Sequence, residues 1–428
     1  MRTPLPYPIA LERLHHAAQD AREAVEAEDV HITDCLGRVA AKDHQSPFST
    51  PRFDSSAMDG YAVISDATKS ATLENPVAFA IKKTIQAGDH EPYLLTVDPI
   101  DDMPPCVRVM TGAPFPVLDD MKDGKSFDAC VKWEYTAQQP GARSDIMLIT
   151  KPVPGGTNKR YAGQDIKQGD VVLSAGTAIR STHVICLASI GITTVHVVRR
   201  PRCGIWSTGK ELLTTQDVNG PYLSVATREL GADTRFLGIL PDERSVLRQE
   251  IEIAPGGVSG GKYDFVREVL ETLGATIVFH RLNIRPGHSV LFATFQRQTG
   301  QGLTAFFGLP GNPGAAAACF RFLVVPYMRR LMGQDIETPL SVCLEPGTAR
   351  LPCARRSQKH TKCSSSTLDR FHHGILGRSA VGTMTSPTKL NPYSSVNCWI
   401  HFKTEQDSEE GTLVDCYPTT SCNITREV

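Results

Sequence analysis

The sequence predicts a multidomain α/β plus β protein, and three observations carry that expectation. Its 428 residues are a soft prior for about three domains. Residues 194–335 alternate strand-like and helix-like stretches, which implies a parallel sheet with ligands at the strand carboxyl ends. The stretches flanking that region, 30–149 and 338–428, instead show short β-like runs between turn residues.

Each element follows from local pattern. Residues 1–30 read as one amphipathic helix, with Leu11, Leu14, Ala18, Ala21 and Val25 on one stripe behind Pro4, Pro6 and Pro8. Strands are expected at Ala78–Ile81, Cys106–Met110, Ala129–Tyr135 and Ile146–Lys151. A short strand at Val171–Leu173 and a helix at Thr182–Ser189 follow. Further strands fall at Thr194–Val198, Arg202–Trp206, Ala275–Phe279 and Phe306–Leu309. Helices are expected near Leu223–Leu230, Phe265–Leu273 and Ala315–Leu323. The tail offers strands at Val396–Phe402 and Thr412–Tyr417, and a basic, Ser-rich loop at Arg355–Ser366.

Composition excludes several classes. Hydrophobic residues make up 41% and charged residues 21%, which is globular rather than disordered. A formal charge of −1 gives no global field for nucleic acid or an acidic membrane. No apolar run approaches the roughly 18 residues of a membrane span. The first 25 residues lack an apolar signal core, so a cytosolic protein is expected. The 12 cysteines contain no CxxC pair, which argues against a zinc ribbon and for buried thiols. The adjacent pairs His15-His16 and His372-His373 read as solvated.

Four stretches are candidates for chemistry. Asp54-Ser55-Ser56-Ala57-Met58-Asp59-Gly60 sets two carboxylates around two hydroxyls; alone it reads as an Asx or Ser turn. Arg108–Pro114 brings a strand to the hydroxyl of Thr111 and a tight turn at Gly112; alone it is an ordinary strand–turn. Ser207-Thr208-Gly209-Lys210-Glu211 and the glycine-rich Gly256–Gly261 could hold a phosphate, with Glu211 and Asp264 as hard oxygen ligands for Mg²⁺. The P-loop match of Gly204, Gly209 and Lys210 fails, because Glu211 stands where Ser or Thr is needed. Gly308-Leu309-Pro310-Gly311-Asn312-Pro313 opens a helix, as an anion site or simply a rigid start.

Together and in this order, these stretches resemble the molybdopterin molybdenumtransferase family, which includes the C-terminal domain of gephyrin. The resemblance runs from about Pro6 to Gly333 and includes Arg160-Tyr161-Ala162-Gly163-Gln164-Asp165. It implies a discontinuous helical domain (1–45 with 148–190), a β-rich domain (46–147), a three-layer α/β domain (191–335) and a small C-terminal β-barrel (336–428). It implies an elongated homodimer, with the site between the α/β domain of one subunit and the β-rich region of the other. The implied reaction converts adenylylated molybdopterin and molybdate into molybdenum cofactor and AMP, with Mg²⁺. A molybdopterin-adenylylating protein is the implied partner.

The resemblance also assigns residues. Asp59, Thr111, Glu211 and Asp264 are the implied catalytic set, and Glu211, Asp242 and Asp264 the implied metal ligands. Implied substrate contacts are Asp54, Ser56, Arg160, Asp165, Ser207, Thr208, Gly256, Gly257 and Ser259, then Arg285, Pro310, Asn312 and Pro313. Four features depart from the family pattern. Lys210 stands where the family usually has Asp. The Lys-Pro-Gly-Lys-Pro stretch is Arg285-Pro286-Gly287-His288-Ser289, with an imidazole in place of a lysine. Ala315 replaces a small hydroxyl residue. The segment 243–255 is short, leaving Ile251–Ala254 as a reduced strand. The departures keep a second reading open, a catalytically impaired scaffold that binds partners. A third, adenylylation of molybdopterin, fits less well because the chain carries the transferase-type N-terminal regions.

Overall fold

The computed structural model describes residues 4–89, 91–96, 103–119, 126–137, 145–209, 212, 214–241, 243–253, 257–260, 265–296, 303–344, 368–376, 380–383, 396–403 and 411–419. The chain divides into two compact units. One comprises Met1–Lys42, Ala175–Ser181 and Thr194–Val428; the other comprises Asp43–Ser174 and Thr182–Thr193. The predicted loop Arg355–Ser366 lies outside the described residues.

The first unit is built on a six-stranded sheet. Its spatial order is Asp233–Leu240, Arg202–Thr208, Gly257–Gly260, Leu303–Leu309, Leu291–Gln296 and Thr276–His280. The first four strands run parallel, and Leu291–Gln296 is antiparallel to both its neighbours. Alternate residues face opposite ways along a strand, and both faces here are covered. Ile205, Phe292 and Phe307 pack with Leu223, Ala316 and the N-terminal helix. Trp206, Ala293 and Phe306 pack instead with Leu247, Val266, Val269 and Leu270.

The segment after residue 243 differs from expectation. Arg244–Ile253 is a helix, not a reduced strand. The glycine-rich stretch is not a loop either: Gly257–Gly260 is the strand between Arg202–Thr208 and Leu303–Leu309. Its neighbours would otherwise present unpaired backbone edges within the sheet, so backbone pairing outweighs the poor strand propensity of glycine.

The predicted helix over 1–30 is shorter, Tyr7–Arg22, and buries Tyr7, Ala10, Leu14, Ala17, Ala18 and Ala21. Beyond it Ala27–His31 is a strand, antiparallel to Thr194–Val198. The sequence there alternates charged Glu26 and Glu28 with apolar Ala27, which suits an extended ribbon better than a stripe. The helix Pro313–Cys319 runs through a π-helical turn, Phe320–Val324, into Val325–Leu331. Pro326 lacks the N–H that a regular turn needs, which accounts for the widening there.

The C-terminal strands form a nearly closed, barrel-like sheet. Asp369–Leu376, Ala380–Thr383, Leu340–Leu344, Leu413–Pro418 and Cys398–Phe402 follow in order, and the last pairs back to the first. Ile284–Arg285 joins it beside Asp369–Arg370. The expectation that His372-His373 is solvated fails, because both faces of this strand are covered. His372 lies against Phe402 and His373 against Trp399. Burial pushes the His372 imidazole down to about 4 from its ordinary 6.5. A folded-state value below the unfolded one means stability is present above pH 6.5 and lost as pH falls towards 4. The loss should reach roughly 3 kcal/mol. Urea unfolding at pH 7 and pH 4.5 checks it, since His372→Phe should remove this part of the pH dependence.

The second unit centres on another six-stranded sheet. Its order is Thr136–Ala137, Ile146–Ile149, Val77–Ile85, Pro105–Val109, Gly60–Val63 and Ala129–Lys132. Tyr61, Val63, Cys106, Ala129 and Val131 form one core, and Ala62, Val107, Val109 and Cys130 the other. Two short ribbons join it: Lys159–Arg160 pairs with Ser55–Ser56, and Val171–Leu173 with His44–Gln45. Cys35, Cys106, Cys130, Cys319, Cys398 and Cys416 are buried free thiols. Among the described residues no helix is long and apolar enough to cross a membrane.

Candidate functional site

Strand order marks a candidate site in the first unit. The chain passes from Arg202–Thr208 to its neighbour on one side, Asp233–Leu240, and then to Gly257–Gly260 on the other. That reversal leaves a crevice at the carboxyl ends of the strands, where open α/β sheets bind ligands. Ser207 pairs with Gly260, and Gly260 with Leu309, so three strands end side by side.

Buried oxygens lie near these strand ends. Ser207 Oγ, Asp217 Oδ2 and Asn219 Oδ1 are buried without a hydrogen-bond partner among the described residues. Buried polar atoms are normally satisfied, so such atoms call for an explanation such as a bound ligand or water. Asp217 Oδ1 accepts the Gly220 N–H at 3.0 Å, which fixes the first turn of the helix Asn219–Glu229. Asn219 Nδ2 donates to the Gly311 carbonyl at 2.9 Å, tying that helix to the Pro310–Pro313 turn. Gly220 is packed closely against both: a Cβ there would lie 2.3 Å from Asp217 Oδ2 and 2.8 Å from Ser207 Oγ, so only glycine fits. Asn312 Oδ1 accepts the Ala315 N–H at 3.1 Å, so its carbonyl oxygen caps the helix. Arg285 is exposed on the ribbon beside the C-terminal sheet. His288 Nδ1 lies 2.7 Å from the Leu282 carbonyl.

The predicted residues Lys210, Glu211, Asp242, Gly256 and Asp264 lie outside the described residues, as does the side chain of Ser259. Among the described residues there is no cluster of three or more His, Cys, Asp or Glu able to hold a metal ion.

The second unit gathers its own predicted residues. Gly60 pairs with Val109, so Asp59 and Thr111 meet at adjoining strand ends. The Thr111 N–H and hydroxyl both donate to Asp59 Oδ1, at 2.6 and 2.8 Å. These bonds hold the exposed Asp59 carboxyl below the usual range. Arg160 forms an ion pair with Asp165. Both line an open cleft of about 750 Å³ with Arg52, Ser55, Gly112 and Pro114. The Ser56 hydroxyl is turned inward and donates to the Met58 carbonyl at 2.6 Å. Asp54 has both carboxylate oxygens engaged by protein groups, Lys159 at 2.9 Å and the Ala162 N–H at 2.9 Å. Burial pushes the Asp54 carboxyl up, but these two contacts outweigh it and leave it below the usual range.

Sequence reasoning missed Asp217, Asn219 and Lys159. A signal for the first two was present: Asp217 and Asn219 stand just before Gly220-Pro221, where proline marks a helix start and a carboxylate suits the first turn. For Lys159, the alternation of a strand puts it opposite Arg160.

Fold and site define an α/β ligand-binding unit with a switch-point crevice, accompanied by a β-rich unit that carries a carboxylate–hydroxyl pair. Residues 6–191 match the MoeA N-terminal region (domain I and II), and residues 204–330 match the probable molybdopterin binding domain. The molybdopterin molybdenumtransferase of Bacillus subtilis (strain 168) is 32% identical over 362 residues, covering 80% of this chain and 78% of that protein. The one from Synechococcus elongatus is 28% identical, covering 83% and 88%. A molybdopterin biosynthesis moeA protein from Pyrococcus horikoshii OT3 shares the fold, with a TM-score of 0.73 at 21% identity, covering 97% of this chain and 100% of that one. The chain belongs to the molybdopterin molybdenumtransferase family. It is a transferase with a role in molybdenum cofactor biosynthesis.

Proposed function

We propose that this chain inserts molybdenum, converting adenylylated molybdopterin and molybdate into molybdenum cofactor and AMP with Mg²⁺. The observation that carries the reading is the set of three buried oxygens at the switch point that lack a partner among the described residues. Hard oxygen donors suit Mg²⁺, which typically combines one or two carboxylates with substrate phosphate. In sequence, Glu211, Asp242 and Asp264 follow the carboxyl ends of three neighbouring strands, and they are the proposed ligands. Mg²⁺ bound there would neutralise charge on the phosphate as the anhydride bond to AMP breaks.

The remaining work falls to the protein's own groups. Ser207, Thr208 and Asn219 would fix the substrate at the strand ends, beside Pro310, Asn312 and Pro313. The proposed role of Gly257 and Ser259 is to shape the same crevice. Asp59, held ionised by Thr111, would orient pterin N–H groups, and Arg160 with Arg285 would offset the oxyanion's charge. Two anions repel, so positioning should supply much of the rate. A homodimer is the proposed active form, supplied by a molybdopterin-adenylylating partner.

The test is AMP release from adenylylated molybdopterin by folded protein with molybdate and Mg²⁺. Release should depend on molybdate and fall by about 100-fold in Glu211→Ala. No release from folded dimer would overturn the proposal in favour of a scaffold role, and ATP consumption would point to adenylylation.

A further inference from the structure

Lys159 is a nearly buried cation beside the cleft of the β-rich unit, its side chain only 10% exposed. A charge so far removed from water is costly unless it is paired. Its Nζ lies 2.9 Å from Asp54 Oδ2 and donates to the Phe127 carbonyl at 3.2 Å. The ammonium also stands over the rings of Phe115, at 5.0 Å, and Tyr161, at 5.5 Å. The other oxygen of Asp54 accepts the Ala162 N–H at 2.9 Å. Through its backbone, the Asp54 carbonyl accepts the Phe115 N–H at 2.7 Å.

These contacts tie together the segments that present the predicted site residues. Asp54 precedes Ser55–Ser56, whose chain leads to Asp59. Ala162 sits between Arg160 and Asp165, which line the cleft as an ion pair. Gly112, next to Thr111, donates its N–H to the Ser56 carbonyl at 2.8 Å. One cation therefore bears on the loop 160–165 and on the segment leading to Asp59.

We propose that Lys159 is a positioning residue for molybdenum insertion, acting through Asp54 to set the loop that carries Arg160 and Asp165. The inference rests on the function proposed above. It gives Asp54 the task of holding this loop rather than touching substrate.

The test uses the full chain in the AMP-release assay, with Lys159→Met, Lys159→Arg, Asp54→Asn and the Lys159→Met/Asp54→Asn double variant. Lys159→Met should raise KM for adenylylated molybdopterin about tenfold and leave kcat within about twofold, because the chemistry is kept and the docking loop is loosened. Asp54→Asn should do the same. The double variant should be no worse than either single one, since residues acting as a unit are not additive. Lys159→Arg should restore the wild-type KM. The double variant removes both charges of the pair, so it guards against loss of folding from a stranded charge.

Hydrogen exchange at Ala162–Asp165 reads the loop independently of turnover. It should quicken in Lys159→Met and not in Lys159→Arg. If the wild type releases no AMP, the functional reading has failed and this second readout still decides the positioning. Wild-type KM and wild-type protection in folded Lys159→Met would overturn the proposal, as would additive effects in the double variant.

Discussion

Replacing Gly60 with alanine should destabilise the β-rich unit by about 3 kcal/mol, at the upper end of what overpacking a core usually costs. A Cβ at that position would lie 2.0 Å from the Val131 carbonyl oxygen and 2.9 Å from its carbon. The obstacle is backbone, and that backbone belongs to the strand paired with Gly60, so it cannot turn aside as a side chain would. Gly60 also pairs with Val109 on its other side, which removes the second route of relief. The melting temperature should fall by roughly 10 °C, checked by calorimetry. Gly112→Ala supplies the contrast. Its φ is +81°, but nothing lies within 4 Å of the added Cβ. Backbone strain alone should cost about 1 kcal/mol. Equal shifts for the two variants would refute the claim that close approach at Gly60 dominates. The glycine next to Asp59 is thus explained by strand packing as much as by the turn.

Much of the architecture was legible because local pattern and tertiary context agree. Thr194–Val198 and Val171–Leu173 are β-branched runs bounded by turn residues, and both are strands with those limits. Asp59 and Thr111 were legible as a pair only through the family resemblance; neither motif says that its strand end adjoins the other. What failed to show was set by the neighbours. Gly257–Gly260 has neither hydrophobic alternation nor strand propensity, and its place in the sheet follows from two flanking strands that need a partner. His372 and His373 looked solvated because adjacent residues point opposite ways, which rules out a shared site but not burial on two covered faces. The N-terminal helix and the barrel interior between them cover both. The apolar stripe read through Val25 runs three residues past the helix end at Arg22. In the site, Asp217 carries no signal of function by itself. Only the burial of its second oxygen beside Ser207 separates it from an ordinary helix-start carboxylate.

Asp217 therefore carries the last and largest expected effect, a loss of about 100-fold or more in AMP release when it becomes alanine. Two roles must be separated. Oδ1 accepts the Gly220 N–H and supports the helix start, a role worth about 1 kcal/mol of stability. Oδ2 is buried near Ser207 Oγ, both packed against Gly220, and it has no partner among the described residues. Asparagine caps a helix about as well as aspartate, so Asp217→Asn should keep the melting temperature of the wild type. It removes the negative charge, however, and with it the better oxygen ligand for Mg²⁺. Asp217→Asn should therefore lose most of the activity that Asp217→Ala loses, while only Asp217→Ala loses stability. Gly220→Ala should instead lower stability through packing, since its Cβ would fall 2.3 Å from Asp217 Oδ2 and 2.6 Å from Phe236 Cε2. Full activity in Asp217→Asn would mean that the unpartnered oxygen serves no ligand, and the switch-point crevice would lose its main support as the site of reaction.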